Sequence, residues 1–204
     1  MAVRDTSIDP RLLQSAREEF LRCGFIKADL KKICDSAGVT TGAVYKRYAG
    51  KEALFCAVVQ GAVDELTKFT QIRAEADLSK LSDDEVRQMW VMREADVLEM
   101  FRMLWGIKDD FYLLLEKAAG TKYETFQHDF SDSMSKATYL YYLETKRRKM
   151  TKKNLTEAEM HVLCSSFWTS LYEPFIHQMS FKDIEEHCKV ICRYFDWTAA
   201  LELK

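Results

Sequence analysis

Residues Gly38 to Phe55 read GVTTGAVYKRYAGKEALF, and the stretch Thr41–Tyr48 has the pattern of a short helix with little to bury. Only Val44 and Tyr48 form an apolar pair at i, i+4, while Thr41, Gly42, Tyr45, Lys46 and Arg47 fall elsewhere on the wheel. A helix that gives a core so little, yet offers hydroxyls, an ammonium and a guanidinium, is suited to a partner outside its own fold. Gly38 is placed to end the preceding helix in the left-handed conformation, and Thr40 to cap the next.

Working outward, Asp29 can cap a short helix whose Leu30, Ile33 and Ala37 face inward. The turn Ala37-Gly38-Val39-Thr40 joins it to the stretch above with the spacing of a helix-turn-helix. Upstream, Asp9-Pro10 has the form of an N-cap followed by proline at the first helical position, and Leu12, Leu13, Ala16 and Phe20 recur on one face. Downstream, a long helix from near Lys51 carries Leu54, Phe55, Val58, Val59, Ala62, Leu66 and Phe69. Capping boxes predict further helix starts at Ser82, Thr121 and Thr156, and Ser180 caps a last helix through about Leu201. Pro174 should kink the helix it interrupts. The expectation is an all-α fold of about eight or nine helices, with no repeat of fixed period.

The 204 residues are 48% hydrophobic and suffice for a sizeable core. The longest uninterrupted apolar run, ALFCAVV from Ala53, falls far short of the roughly 20 residues that span a bilayer, so no membrane partner is expected. The polar start MAVRDTSIDP lacks the apolar region of a secretory signal, which points to the cytoplasm and to six reduced cysteines without a CxxC pair. No GxSxG, HExxH, GxxxxGK[ST] or GxGxxG occurs, so neither enzyme, metal nor cofactor is expected. The net charge of -2 hides an asymmetry: residues 1–51 hold ten Lys and Arg against six Asp and Glu. A basic head on an acidic body is the distribution of a protein that meets a polyanion at one end.

For the head, each side chain has a part in meeting DNA. Thr40 and Thr41, at a helix start, can bond a phosphate where the dipole favours negative charge. Gly42 permits close approach, and Tyr45 offers a hydroxyl and a flat ring for backbone or base-methyl contact. Lys46 and Arg47 can serve phosphates or guanine, although Arg47 lies off the groove face of the wheel. Tyr48 joins the set at the packed edge of the helix, and Lys51 stands at the start of the fourth helix beside a phosphate position.

The order F-L-R-C-G-F, then A-G-V-T, G-x-V-Y-x-x-Y and G-K-E-A-L-F closely resembles the head of the TetR family of bacterial transcription regulators over residues 9 to about 60. The resemblance implies a head at 1–52 and a helical body at 53–204 that dimerises and binds a small-molecule inducer. It further implies a homodimer on a near-palindromic double-stranded operator, more often a repressor than an activator. Where the family places Thr followed by Ser or Thr, this chain has Ala28 and Asp29, which removes one expected phosphate contact.

Within the body, Met100, Met103, Trp105, Phe126, Phe130, Tyr139, Trp168 and Tyr172 are candidate walls of an inducer pocket. Phe167, Leu171, Phe175, Ile184, Ile191 and Phe195, on two helices near the end, are the candidate dimer interface. A DNA-binding protein without inducer, acting structurally or through a protein partner, is the alternative and predicts a body lacking a ligand-sized cavity.

Overall fold

The computed structural model describes residues 8–204; most of the polar start on which the signal-peptide expectation rests lies outside them. Its helices are α1 (Ile8–Lys27), α2 (Leu30–Ala37), α3 (Thr41–Tyr45), α4 (Lys51–Ala74), α5 (Asp83–Gln88), α6 (Glu94–Gly106), α7 (Lys108–Tyr112), α8 (Phe126–Arg147), α9 (Glu157–Ile176), α10 (Phe181–Tyr194) and α11 (Trp197–Ala200). The described residues contain no strand, and none of their helices is long and apolar enough to cross a membrane. Two compact units divide the chain: the stretch up to Glu65 with Ile107–Phe126, and Leu66–Gly106 with Gln127–Lys204. Helix α4 contributes to both.

In the first unit Leu12, Ala16 and Phe20 form the fully buried stripe of α1, and Ile33, Ala37, Val44, Leu54 and Phe55 close over it. Phe20 and Phe25 each meet Phe55 edge-on, with centroids 5.0 and 5.6 Å away, an arrangement that adds roughly 0.5–1.5 kcal/mol beyond area burial. The segment Ile107–Phe126 supplies buried Phe111, Leu113 and Leu114 to the same core. It is tied to α1 by a forked ion pair in which the Arg17 guanidinium donates to Asp110 at 2.6 and 3.0 Å. Gly24, at φ 74 and ψ 166, bends α1 out of helical geometry in a way a side-chain-bearing residue would resist.

Helix α1 already begins at Ile8, so Asp9 sits in its first turn instead of capping it. Thr121 starts no helix either: it is buried in a turn, its hydroxyl donating to the Ala118 carbonyl at 2.7 Å, and α8 begins only at Phe126. The capping boxes at Ser82 and Thr156 and the Ser180 cap are all present.

The core of the second unit is assembled from Val97, Phe101 and Leu104 of α6, Met134 and Tyr142 of α8, Met160 and Trp168 of α9, and Cys188 of α10. Five of the expected dimer residues belong to it. Phe167, Leu171, Phe175, Ile184 and Ile191 are at most 9% exposed within the single chain, so its own core already covers them. The sixth, Phe195, is half-buried at the break after α10, edge-on to Phe167 at 5.3 Å. That break ends the last long helix before Leu201, and Asp196 then caps the short α11 by accepting from the Ala199 N–H at 2.9 Å. Pro174 lies in the final turn of α9, two residues before its end.

Candidate nucleic-acid interface

Helix α3 is fixed from three sides. Thr40 Oγ1 accepts from the Ala43 N–H at 3.2 Å, which satisfies one of the free donors at the helix start. Gly38, at φ 68 and ψ 35, terminates α2 with its own N–H turned back on that helix. Val44, fully buried, anchors the inner face. What remains outside is the expected set: Thr41, Gly42, Tyr45 and Lys46 are all exposed, Tyr45 by 62%. Lys27, Lys31 and Lys32 are exposed around the start of α2, where Asp29 Oδ1 accepts from the Lys31 N–H at 2.8 Å. That carboxylate caps its helix, as its position suggested, and its neighbouring lysines supply positive charge.

Two cations of the predicted set are engaged within the unit. Arg47 Nε donates to Asp9 Oδ1 at 2.7 Å and its Nη1 to the Ala43 carbonyl at 3.2 Å, with the side chain only 10% exposed. It latches α3 to the first turn of α1 and is turned away from the face that Tyr45 and Lys46 present. Lys51 Nζ donates to the carbonyls of Ile26 and Ala28 at 3.1 and 3.0 Å and stands 4.7 Å from the centre of the Phe25 ring. It therefore neutralises carbonyls at the C-terminal end of α1, where the dipole favours a cation. Tyr48 is half-buried beside Val44. Neither latch was visible in the local sequence, apart from the off-face position of Arg47 on the wheel.

The second unit holds a cavity of about 350 Å³ at the end of α4, among α6, α8, α9 and the residues following α5. Two of the candidate wall residues, Met100 and Trp168, line it together with Arg73, Trp90, Tyr141 and Trp197, which sequence reasoning did not single out. The other expected wall residues lie elsewhere, for packing reasons. Trp105 meets Phe181 at 5.2 Å, Phe130 stands edge-on behind Trp168 at 5.2 Å, and Tyr139 stacks on Tyr142 at 5.6 Å. Phe126 packs on Phe111 in the first unit, the Tyr172 hydroxyl pairs with that of Thr169 at 3.0 Å, and Met103 is half-buried on α6 away from the cavity. All six cysteines are free thiols, and burial pushes Cys188 up to about 12, which keeps it neutral and unreactive.

Residues 12–58 match the family model of bacterial regulatory proteins of the tetR family. The HTH-type transcriptional regulator UidR of Escherichia coli (strain K12) is 41% identical over 49 residues, which are 24% of this chain and 25% of that protein. The match thus spans about a quarter of that relative's length and falls on the head. Among solved structures, native NalD, the secondary repressor of the MexAB-OprM multidrug efflux pump in Pseudomonas aeruginosa, aligns over 92% of this chain and 96% of its own, with TM-score 0.60 and 18% identity. Salmonella enterica GusR aligns over 98% of both chains, with TM-score 0.61 and 12% identity; at such identities the likeness is one of fold. The head, residues 12–58, thus carries the sequence pattern of the bacterial regulatory proteins of the tetR family, and the chain as a whole shares the fold of these solved structures.

Proposed function

We propose that the chain is a dimeric, sequence-reading regulator of transcription, a repressor released from its operator by a small-molecule inducer, which works in the bacterial cytoplasm and catalyses no reaction. The observation that carries this reading is the outer face of α3, where Thr41, Gly42, Tyr45 and Lys46 stand exposed while Val44 and the Arg47–Asp9 pair hold the helix from within. Such a face suits the major groove, with Lys46 for a phosphate or guanine and Tyr45 for the backbone or a thymine methyl.

Dimerisation falls to the residues that the core leaves outside. Val162 and Leu163 on α9 and Val190 and Tyr194 on α10 are 63, 37, 62 and 79% exposed, an apolar set that a second copy would cover. Two copies would present two α3 helices to successive major grooves about 34 Å apart. The cavity of about 350 Å³ lies within the size range of small-molecule sites and favours an inducible regulator over a purely structural DNA-binding protein. An inducer with higher affinity for the form that fits DNA poorly shifts the population away from the operator.

Selection of bound duplexes from a random pool tests the reading, followed by the salt dependence of the best binder. An enriched near-palindrome with half-sites one helical turn apart, or a multiple of it, is expected. Binding without enrichment, governed by salt alone, would refute sequence reading.

A further inference from the structure

We propose that the ligand of the second unit is an organic anion, a carboxylate on a flat apolar body, and that Arg73 receives its charge. The proposal deepens the inducible-regulator reading above and rests on it.

Arg73, in the last turn of α4, lines the cavity and lacks the partner its chemistry demands. Its Nε is sealed from solvent and makes no hydrogen bond, and among the described residues no carboxylate forms an ion pair with it. Its guanidinium stands 6.0 Å from the Phe69 ring and 5.6 Å from the Tyr141 ring, while the Tyr141 hydroxyl donates to the Arg73 carbonyl at 2.6 Å and fixes the residue against that wall. Burial opposes the charge and lowers the pKa of the group below its ordinary value. Arginine nevertheless remains protonated, so the charge persists and calls for a counter-ion.

Several of the other polar groups around the cavity are already engaged. The Trp90 indole N–H donates to Thr145 at 2.9 Å, the Thr138 hydroxyl to the Met134 carbonyl at 2.9 Å, and Arg93 to Gln88. Asp96, the acidic side chain on the cavity wall, stands 3.9 Å from Arg93 and does not pair with Arg73. Much of the remaining wall is ring and thioether, Trp168, Trp197, Tyr141 and Met100 among them, with Val91, Val97 and the Cys164 thiol beside them. A planar guanidinium that can fork onto a carboxylate, set among aromatic faces, selects a ligand with an acid at one end and a flat apolar remainder.

The test is a binding titration followed by tryptophan fluorescence, which Trp90, Trp168 and Trp197 make sensitive to occupancy. Cinnamate and octanoate are each compared with their own amide, on the parent chain and on Arg73→Met and Arg73→Lys. At least one acid should bind the parent roughly ten- to a hundredfold tighter than its amide, as expected for hydrogen bonds to a charged group. Arg73→Met should abolish that preference and Arg73→Lys should keep part of it. Because Arg73→Met removes a charge whose buried Nε has no partner, its melting temperature should equal or exceed the parent's, so lost binding is not lost folding. Amides that bind as tightly as acids, an acid affinity untouched by Arg73→Met, or no binding by either acid would each overturn the proposal. Release of the selected operator is measured separately. An acid that binds through Arg73 without releasing DNA refutes the inducer reading and leaves the anion site standing; a neutral inducer that releases DNA, with no acid bound, does the reverse.

Discussion

Lys46 and Arg47 are adjacent cations on one short helix with opposite surroundings, and the difference is measurable. Lys46→Ala removes an exposed charge, so stability should stay within about 0.5 kcal/mol while the slope of log affinity against log salt falls in magnitude by about 0.9 per head. Arg47→Met should leave the slope unchanged and cost about 1–3 kcal/mol, because Asp9 loses a close, largely buried partner. A salt slope reduced equally by both variants would return Arg47 to the DNA contacts. Lys51→Ala belongs with Arg47: it uncaps the end of α1 and should lower stability by about 1 kcal/mol with the salt slope intact. The sequence marks these residues as cations near a recognition helix and goes no further. Asp9 lies 38 positions from Arg47, and Ile26 and Ala28 lie 25 and 23 from Lys51, beyond any local pattern. Arg73 was missed for the same reason, since its solitude follows from what α8 and α9 bring around it.

Helix boundaries were legible where the chemistry is local. The Ser82 and Thr156 boxes close on themselves within four residues, and Gly38 and Thr40 set the ends of α2 and α3 unaided. Thr121 satisfies the same S/T-x-x-E pattern and fails, because Glu124 accepts from the N–H of Gly120 at 3.3 Å, in a turn held by a φ of +84, and not from Thr121. The basic run ending α8 is absorbed partly locally and partly by distant residues. Arg147 and Arg148 both donate to Glu144, and Arg148 also reaches Asp83 and the carbonyls of Leu78 and Leu81. These two guanidinium groups hold the Glu144 carboxyl at about 2, far below its ordinary 4.5. Since the folded value is the lower one, the stabilisation is complete above about pH 4.5 and disappears as the pH falls toward 2. The melting temperature of the parent should therefore exceed that of Glu144→Gln at pH 6, and the gap should close by pH 2. A gap that stays constant across this range would show that the carboxylate charge is not what holds the end of α8.

At the scale of the molecule, sequence periodicity revealed the wide apolar faces of α9 and α10 and did not separate what the chain buries in its own core from what it leaves outside. A helical wheel identifies a greasy face; it does not say whether the chain's own core or a second copy covers it. Here Phe167, Leu171, Ile184 and Ile191 went inward, and the smaller set of Val162, Leu163, Val190 and Tyr194 was left outside. That outer set follows a decisive prediction. Val162→Glu combined with Tyr194→Glu places two charges where a partner would have to desolvate them, without touching a buried residue, so the single chain should keep its helicity and melting behaviour. Light scattering should fall from about twice the chain mass of 23.8 kDa to that mass itself. Operator affinity should fall by a factor of about a hundred or more, because two half-sites would no longer be engaged by linked heads. If the double variant stays dimeric, another surface joins the two copies; if it becomes monomeric and keeps full affinity, the operator is contacted by one head alone, and the paired-groove mechanism fails with it.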